Sequence, residues 1–312
     1  MIRILFLLLT SVVLLSSCVP NETSVNKVYQ TQNVVIIVVD GPRYSETWGD
    51  PTHSNIPVRD SLSPYGVLLT SFWNLGVTYT VPGHTAICTG NYQSIANNGT
   101  EIPDKPSIFQ NWLKTTQESY TKCCIVASKD KLYVLSNCLF PPYQNQYRPY
   151  FDCGVNGDGT GGYRSDSITL ERSLEVLATK QPKLMLIAFK DPDYFAHQND
   201  SENYIGGIRK SDQYIGVIWN YLQNSPNYSD KTTLIITNDH GRHLDGISSG
   251  FAGHGDNCEG CRHIEFFALS PDFKQGQVST TYDQLDISAT IAEMLHFPMY
   301  KGKGKVMKDI FD

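Results

Sequence analysis

The chain lacks an apolar run long enough to cross a bilayer as a helix, a block of like charges, an internal repeat and a Pro/Gly/Ser-rich linker. Its one extended apolar stretch, Ile4 to Leu15, rises only about 18 Å as a helix. It also lacks a basic excess: 25 Lys+Arg stand against 31 Asp+Glu, for a formal charge of −6. A protein that meets nucleic-acid phosphates needs cations, so no nucleic-acid partner is expected. With 18% charged and 40% hydrophobic residues the composition excludes a disordered chain or a coiled coil. Without a linker or a repeat, 312 residues read as one large fold.

The short apolar stretch has a different meaning. Arg3 precedes it and Ser16, Ser17 and Cys18 follow, which is the order of a secretory signal: positive, apolar, small. Leu15-Ser16-Ser17-Cys18 resembles a bacterial lipoprotein cleavage box, with Cys18 as the residue that receives lipid. The chain then divides into a signal peptide (1–17), a polar lipidated tether (18–32) and a folded domain (33–312). The expected location is outside the cytoplasm, anchored to a membrane on its periplasmic or cell-surface side. Seven further cysteines follow Cys18, and an exported protein can oxidise them. Cys258-Glu259-Gly260-Cys261 reads as a local disulfide; as a zinc finger it lacks a second pair at matching spacing.

Asn33–Val39 is β-branched on both faces, as in a strand covered on both sides. Similar runs are Cys124–Ala127, Leu184–Phe189, Thr232–Thr237 and Ile264–Leu269. Helical patterns lie between or after them: Ser167–Thr179, Ile208–Leu222 with an apolar stripe, and Asp286–Leu295 with Asp286 at the cap position. Strands alternating with helices predict an α/β fold with a mostly parallel central sheet and helices on both faces. Cys138–Gly162, rich in Pro, Tyr, Asn and Gly, reads as a surface excursion over one end of that sheet.

Ligands of open parallel sheets bind beyond the carboxyl ends of the strands. After Val39 comes Asp40-Gly41-Pro42-Arg43; after Phe189 comes a segment holding Asp193 and His197. After Thr237 comes Asn238-Asp239-His240-Gly241, and Gly253-His254-Gly255 precedes the Ile264 run. Singly, each is an ordinary turn, cap or ion-pair residue. Together they bring three Asp and three His to one edge, the carboxylate and imidazole set that suits zinc first, manganese or iron behind it. Thr80-Val81-Pro82-Gly83-His84 opens a further helix that Gly90 ends. Thr80 at its N-terminus stands where free N–H groups and the helix dipole favour an anion. Beside a divalent cation its hydroxyl becomes a nucleophile; without one it is a plain capping threonine.

Asp-Gly-x-Arg, Thr-x-Pro-x-His, Asp-Pro-Asp-x-x-x-His, Asp-His-Gly and Gly-His-Gly, in this order from Asn33 to Phe297, resemble the alkaline phosphatase superfamily. The similarity is to its type I phosphodiesterase/nucleotide pyrophosphatase branch and the threonine-dependent monoesterase relatives. The resemblance implies two divalent ions. Asp193, His197 and His254 would hold one; Asp40, Asp239, His240 and the Thr80 oxygen would hold the other, with His84 and His243 nearby but not ligands. It implies hydrolysis of a small phosphate ester through a phosphothreonine. Lys129-Asp130-Lys131 resembles the Lys-Asp-Arg segment whose cations contact phosphate in those relatives, with Lys131 in place of Arg. The relatives also use an Asn some twenty residues after the nucleophile; Asn97 and Asn98 both fall there, and Asn98 is taken as the candidate. The expectation is a phosphomonoesterase, with a phosphodiesterase/nucleotide pyrophosphatase as the alternative and a non-catalytic binding lipoprotein behind both. A sulfatase needs Cys or Ser in a formylglycine context where Thr80 stands.

Overall fold

The computed structural model describes residues 27–312; the signal peptide, Cys18 and the first part of the tether lie outside the described residues. The strands are β1 (Asn33–Val39), β2 (Val67–Leu69), β3 (Phe72–Trp73), β4 (Cys123–Ala127), β5 (Tyr150–Cys153), β6 (Leu184–Phe189), β7 (Thr232–Thr237), β8 (Phe266–Leu269), β9 (Gly276–Val278) and β10 (Tyr282–Asp283). The helices are α1 (Pro57–Leu62), α2 (Thr80–Thr89), α3 (Ile108–Thr116), α4 (Asp166–Thr179), α5 (Asp191–His197), α6 (Ser201–Asn224), α7 (Glu259–Arg262) and α8 (Gln284–Met294). Eight strands form one sheet in the order β5-β4-β6-β1-β7-β8-β2-β9, and β3 pairs with β10 apart from it. The pairings from β5 to β7 are all parallel.

The alternation of β1 explains its place at the centre. Val34, Ile36 and Val38 face a core shared with α2, α3 and α8, while Val35, Ile37 and Val39 face one shared with α4 and α6. Both faces are covered, so every side chain of the strand is apolar except Asn33 at its start. The stripe expected on α6 is there: Ile208, Ile215, Ile218 and Leu222 are buried.

Four expectations change. The Ile264 run is not another parallel strand: β8 pairs antiparallel with β7 and with β2. Its reversal brings the Gly-His-Gly segment before it to the edge where the parallel strands end. Cys138–Gly162 is not only a surface excursion, because it contains β5, which extends the sheet beside β4. Asp283, not Asp286, caps α8; Asp286 closes the capping box from the third position. Cys258 and Cys261 form no disulfide, and all seven cysteines among the described residues are free. The Cys258 and Cys261 sulfurs both turn toward His243 instead.

Candidate active site

Asp40 is the first residue beyond β1, and Gly41 turns the chain at φ +73°, where a side chain is strained. A Cβ there would also stand 3.1 Å from the Asp193 Cβ. The close approach lets the Asp193 N–H donate to the Asp40 carbonyl at 3.1 Å, which docks the start of α5 onto the end of β1. On α5, Asp193 and His197 are one turn apart and share a face. At the end of β7, Asp239 Oδ1 accepts from the N–H groups of Gly41 (3.3 Å) and His240 (3.0 Å), which aims Oδ2 the other way. The first turn of α2 lies on this segment: a Cβ on Gly83 would come within 2.4 Å of the Asp239 carbonyl oxygen.

The six side chains form two clusters. In one, His197 Nε2 and His254 Nε2 lie 3.2 and 3.3 Å from Asp193 Oδ1 and 3.0 Å from each other. In the other, His240 Nε2 lies 3.4 Å from both Asp40 Oδ1 and Asp239 Oδ2. His254 Nδ1 donates to the Thr78 carbonyl at 2.7 Å and His240 Nδ1 to the Gly241 carbonyl at 2.9 Å. A carbonyl only accepts, so both rings carry their proton on Nδ1 and offer a bare Nε2. Burial lowers His240 to about 3, so the ring is neutral, as a metal ligand must be.

The fit to divalent cations rests on what these atoms lack. Asp40 Oδ1, Asp239 Oδ2 and His240 Nε2 are buried, point together and have no hydrogen-bond partner. Three converging lone-pair atoms without a donor are costly unless a cation lies among them. Burial and the neighbouring Asp239 push the Asp40 carboxyl up to about 7, against the pull of Lys129. The donor set, two carboxylates and an imidazole in one cluster and one carboxylate and two imidazoles in the other, suits divalent metal ions.

The profile of the family described as Sulfatase matches residues 32–297. The chain belongs to the sulfatase family of the alkaline phosphatase-like superfamily. As such it is a hydrolase of the sulfatase family. This sulfatase-family chain is similar in structure to the phosphonate monoester hydrolase of Silicibacter pomeroyi (15% identity, TM-score 0.63, covering 89% of this chain and 76% of that one). It is similar to murine ectonucleotide pyrophosphatase/phosphodiesterase 5 (14%, 0.64, 90% and 100%). It is similar, too, to an alkaline phosphatase superfamily protein from Vibrio parahaemolyticus (15%, 0.64, 92% and 72%). These likenesses show the shared fold. A comparison with curated protein sequences finds no match.

Thr80 is the first residue of α2 and is buried. The free N–H groups expected around it are mostly committed. Val81 N–H goes to Asn97 Oδ1 at 2.8 Å, Pro82 has none, and Gly83 N–H goes to the Tyr79 carbonyl at 2.9 Å. The helix therefore acts on an anion here mainly through its dipole. Of the two lysines, Lys129 is buried inside the site of the sulfatase-family protein. Its Nζ lies 2.6 Å from Asp193 Oδ2, 2.7 Å from Asp40 Oδ2 and 3.2 Å from Thr80 Oγ1. Burial alone would lower its pKa, but Asp193 and Asp40 outweigh that and hold it well above the usual lysine range. Lys131 lines the cavity of the same site and donates to Asn97 Oδ1 at 3.3 Å. The cavity, about 350 Å³, is lined by Thr80, Asn97, Lys129, Lys131, Tyr163 and His254 among others.

Asn98 is not part of it. Its Oδ1 accepts from the N–H and hydroxyl of Thr100 at 3.0 and 2.7 Å, which closes a local turn. Asn97 takes the place expected of Asn98. Sequence reasoning also missed Arg242, which is fully buried and donates to Asp193 Oδ1 at 2.5 Å. A signal was available: Arg242 is the second residue after His240, on a strand end already marked by ligands. His84 is a supporting residue, its Nδ1 2.9 Å from the Thr80 carbonyl and 3.4 Å from Asp239 Oδ2.

Proposed function

We propose that the protein is a two-metal phosphohydrolase that cleaves phosphate esters through Thr80, with phosphomonoesters preferred. The observation that carries this reading is the identity of the residue at the first turn of α2. It is a threonine, whose hydroxyl sits 3.2 Å from the Lys129 ammonium, where a sulfatase of this family would need a Cys or Ser to convert to formylglycine. Asp193, His197 and His254 would hold one ion, and Asp40, Asp239 and His240, with Thr80 Oγ1, the other. Two ions would supply the positive charge that lowers the pKa of the Thr80 hydroxyl and offsets the charge on the departing oxygen. With its proton released to solvent, Thr80 Oγ1 would attack phosphorus in line with the leaving oxygen; the ester P–O bond breaks, the departing alkoxide takes a proton from water, and a phosphothreonine forms. Water hydrolyses it and phosphate leaves. Lys129 keeps its proton and acts as a donor to the Thr80 oxygen, not as a base. Lys131 and Asn97 line the side from which the phosphoryl oxygens are reached.

One observation favours the phosphodiesterase/nucleotide pyrophosphatase reading: Lys129 is tied to Asp40 and Asp193. Among the described residues that line the cavity, Lys131 is the lysine left to neutralise the extra charge of a monoester. Rates on an aryl phosphate monoester, the matching diester and the sulfate, with zinc supplied, separate the readings. Highest kcat/KM on the sulfate would refute a phosphohydrolase; highest on the diester would move the preference to the alternative.

Lys131 should therefore carry the discrimination. Losing a charge-assisted contact costs about 1.5–3 kcal/mol, or roughly tenfold to a hundredfold in rate. Lys131→Ala should lose that factor in kcat/KM on the monoester and much less on the diester. Burial and the neighbouring Lys129 lower Lys131 to about 8. Its charge is present below that pH and lost above it, so monoester kcat/KM should fall as pH rises through about 8. Lys131→Arg, charged throughout, should remove that limb of the profile. Equal losses on both substrates would assign Lys131 to general anion attraction.

We further propose anchoring through a lipid on Cys18, on the pattern of residues 1–18. Cys18→Ser should release the protein from the membrane fraction or block its processing. An unchanged distribution would leave an ordinary signal peptide.

A further inference from the structure

A second kind of metal cluster lies beyond the catalytic one, in the segment that leaves β7 and returns as β8. His243, Asp256, Cys258 and Cys261 each offer one ligand atom within 4.8 Å of the others. His243 Nδ1 lies 3.3 Å from Cys258 Sγ, 3.4 Å from Cys261 Sγ and 3.5 Å from Asp256 Oδ1. One ring nitrogen has a single proton or a single lone pair, so it cannot make three hydrogen bonds of equal length. Three ligand atoms at equal distance from a fourth are what four ligands around one ion produce. With Zn–S near 2.3 Å and Zn–N and Zn–O near 2.0–2.2 Å, tetrahedral edges are about 3.5 Å for N–S and about 3.4 Å for N–O. The observed separations match both.

The backbone is built to hold this arrangement. Cys258 N–H donates to Asp256 Oδ1 at 2.9 Å, which holds that oxygen at the cluster. The Cys-x-x-Cys turn is the short helix α7, and Gly241 N–H donates to the Cys261 carbonyl at 2.8 Å. His243 N–H donates to the Gly253 carbonyl at 3.0 Å, next to His254. His243 and Cys261 are buried, so the nitrogen and one sulfur are held away from water.

We propose that His243, Asp256, Cys258 and Cys261 form a separate structural site for a soft divalent cation, zinc, that staples the segment carrying Arg242 and His254. The four protein ligands close the coordination shell, so the site is structural and not catalytic. The missing partners of the Cys-x-x-Cys pair are a histidine and an aspartate, which is why no second cysteine pair is found. By closing the loop around residues 243–261 the ion fixes His254 against Thr78 and Arg242 against Asp193. His243, Asp256, Cys258 and Cys261 are positioning residues for the catalytic clusters and do not touch the substrate.

The test uses the mature protein, stripped and reloaded with zinc or with cobalt(II) alone as the probe. Wild type should bind one zinc more per chain than Cys258→Ser/Cys261→Ser, and its cobalt form should show a thiolate-to-cobalt charge-transfer band that the variant lacks. His243→Ala, a milder change, should also bind one zinc fewer than wild type. An Asp40→Asn/Asp239→Asn variant should lose catalytic-cluster zinc but keep the band, so failure of this proposal and failure of the two-metal reading give different patterns. Equal zinc in wild type and both loop variants would overturn the proposal. So would recovery of Cys258 and Cys261 as a disulfide in the freshly purified mature protein.

Discussion

Thr80→Ala should abolish turnover, by a factor on the order of 10⁴ or more, with the fold intact. The comparison is the loss seen when a covalent nucleophile is removed from a hydrolase. The replacement removes the hydroxyl, with its 3.2 Å contact with Lys129, and one methyl group, so circular dichroism should stay close to wild type while affinity for the ion that Thr80 Oγ1 would ligate falls. Thr80→Ser keeps an oxygen at the same position and should retain measurable activity. Trapping with a labelled substrate should put the phosphoryl group on Thr80 in wild type and on nothing in Thr80→Ala. Wild-type rates in Thr80→Ala would assign attack to water and remove the phosphothreonine from the mechanism.

The second large effect belongs to the ligands. Chelation should inactivate wild type and zinc should restore it; Asp239→Ala and His254→Ala should not recover at the same zinc concentration. The expected loss of metal affinity exceeds the roughly 10–100-fold that a supporting partner costs, because each change removes a ligand itself. The two variants should differ in one respect. Asp239 is fully buried and is also hydrogen-bonded to Gly41 and His240 through the backbone. Its loss should therefore lower thermal stability as well as metal content. His254, whose side chain is also buried, makes a single backbone bond, to the Thr78 carbonyl, so His254→Ala should leave stability nearer wild type. Full activity in Asp239→Ala after chelation would refute a metal-dependent mechanism.

Much of the site could be read from local order. Asp40 follows a β-branched strand by one residue, Asp193 and His197 sit one helical turn apart, and Asp239-His240 follow another strand. Period and spacing are local properties, and a parallel sheet collects its strand ends at one edge whatever the loops do. The α2 helix was legible for the same reason, with Thr80 at its start and Gly90 at its end. Asn97 and Asn98 were not separable, because adjacent loop residues differ only in where the chain turns. Asn97 reaches Val81, and Asn98 closes on Thr100.

By itself the sequence determined the α/β class, the burial of β1 on both faces, the place of Thr80 at the start of α2 and the six Asp and His that gather at one edge. Those depend on burial pattern and on spacing along the chain, which survive without any knowledge of partners. Only the tertiary structure decided the direction of β8, and so the path by which His254, already marked in the sequence, reaches that edge. It alone brought Arg242 and Lys129 onto Asp193 from segments more than forty residues away in either direction, each at hydrogen-bond distance. It alone joined His243 and Asp256 to the Cys-x-x-Cys pair. Strand direction and long-range ion pairs are set by how loops return across the sheet, and no local period in the sequence encodes that path.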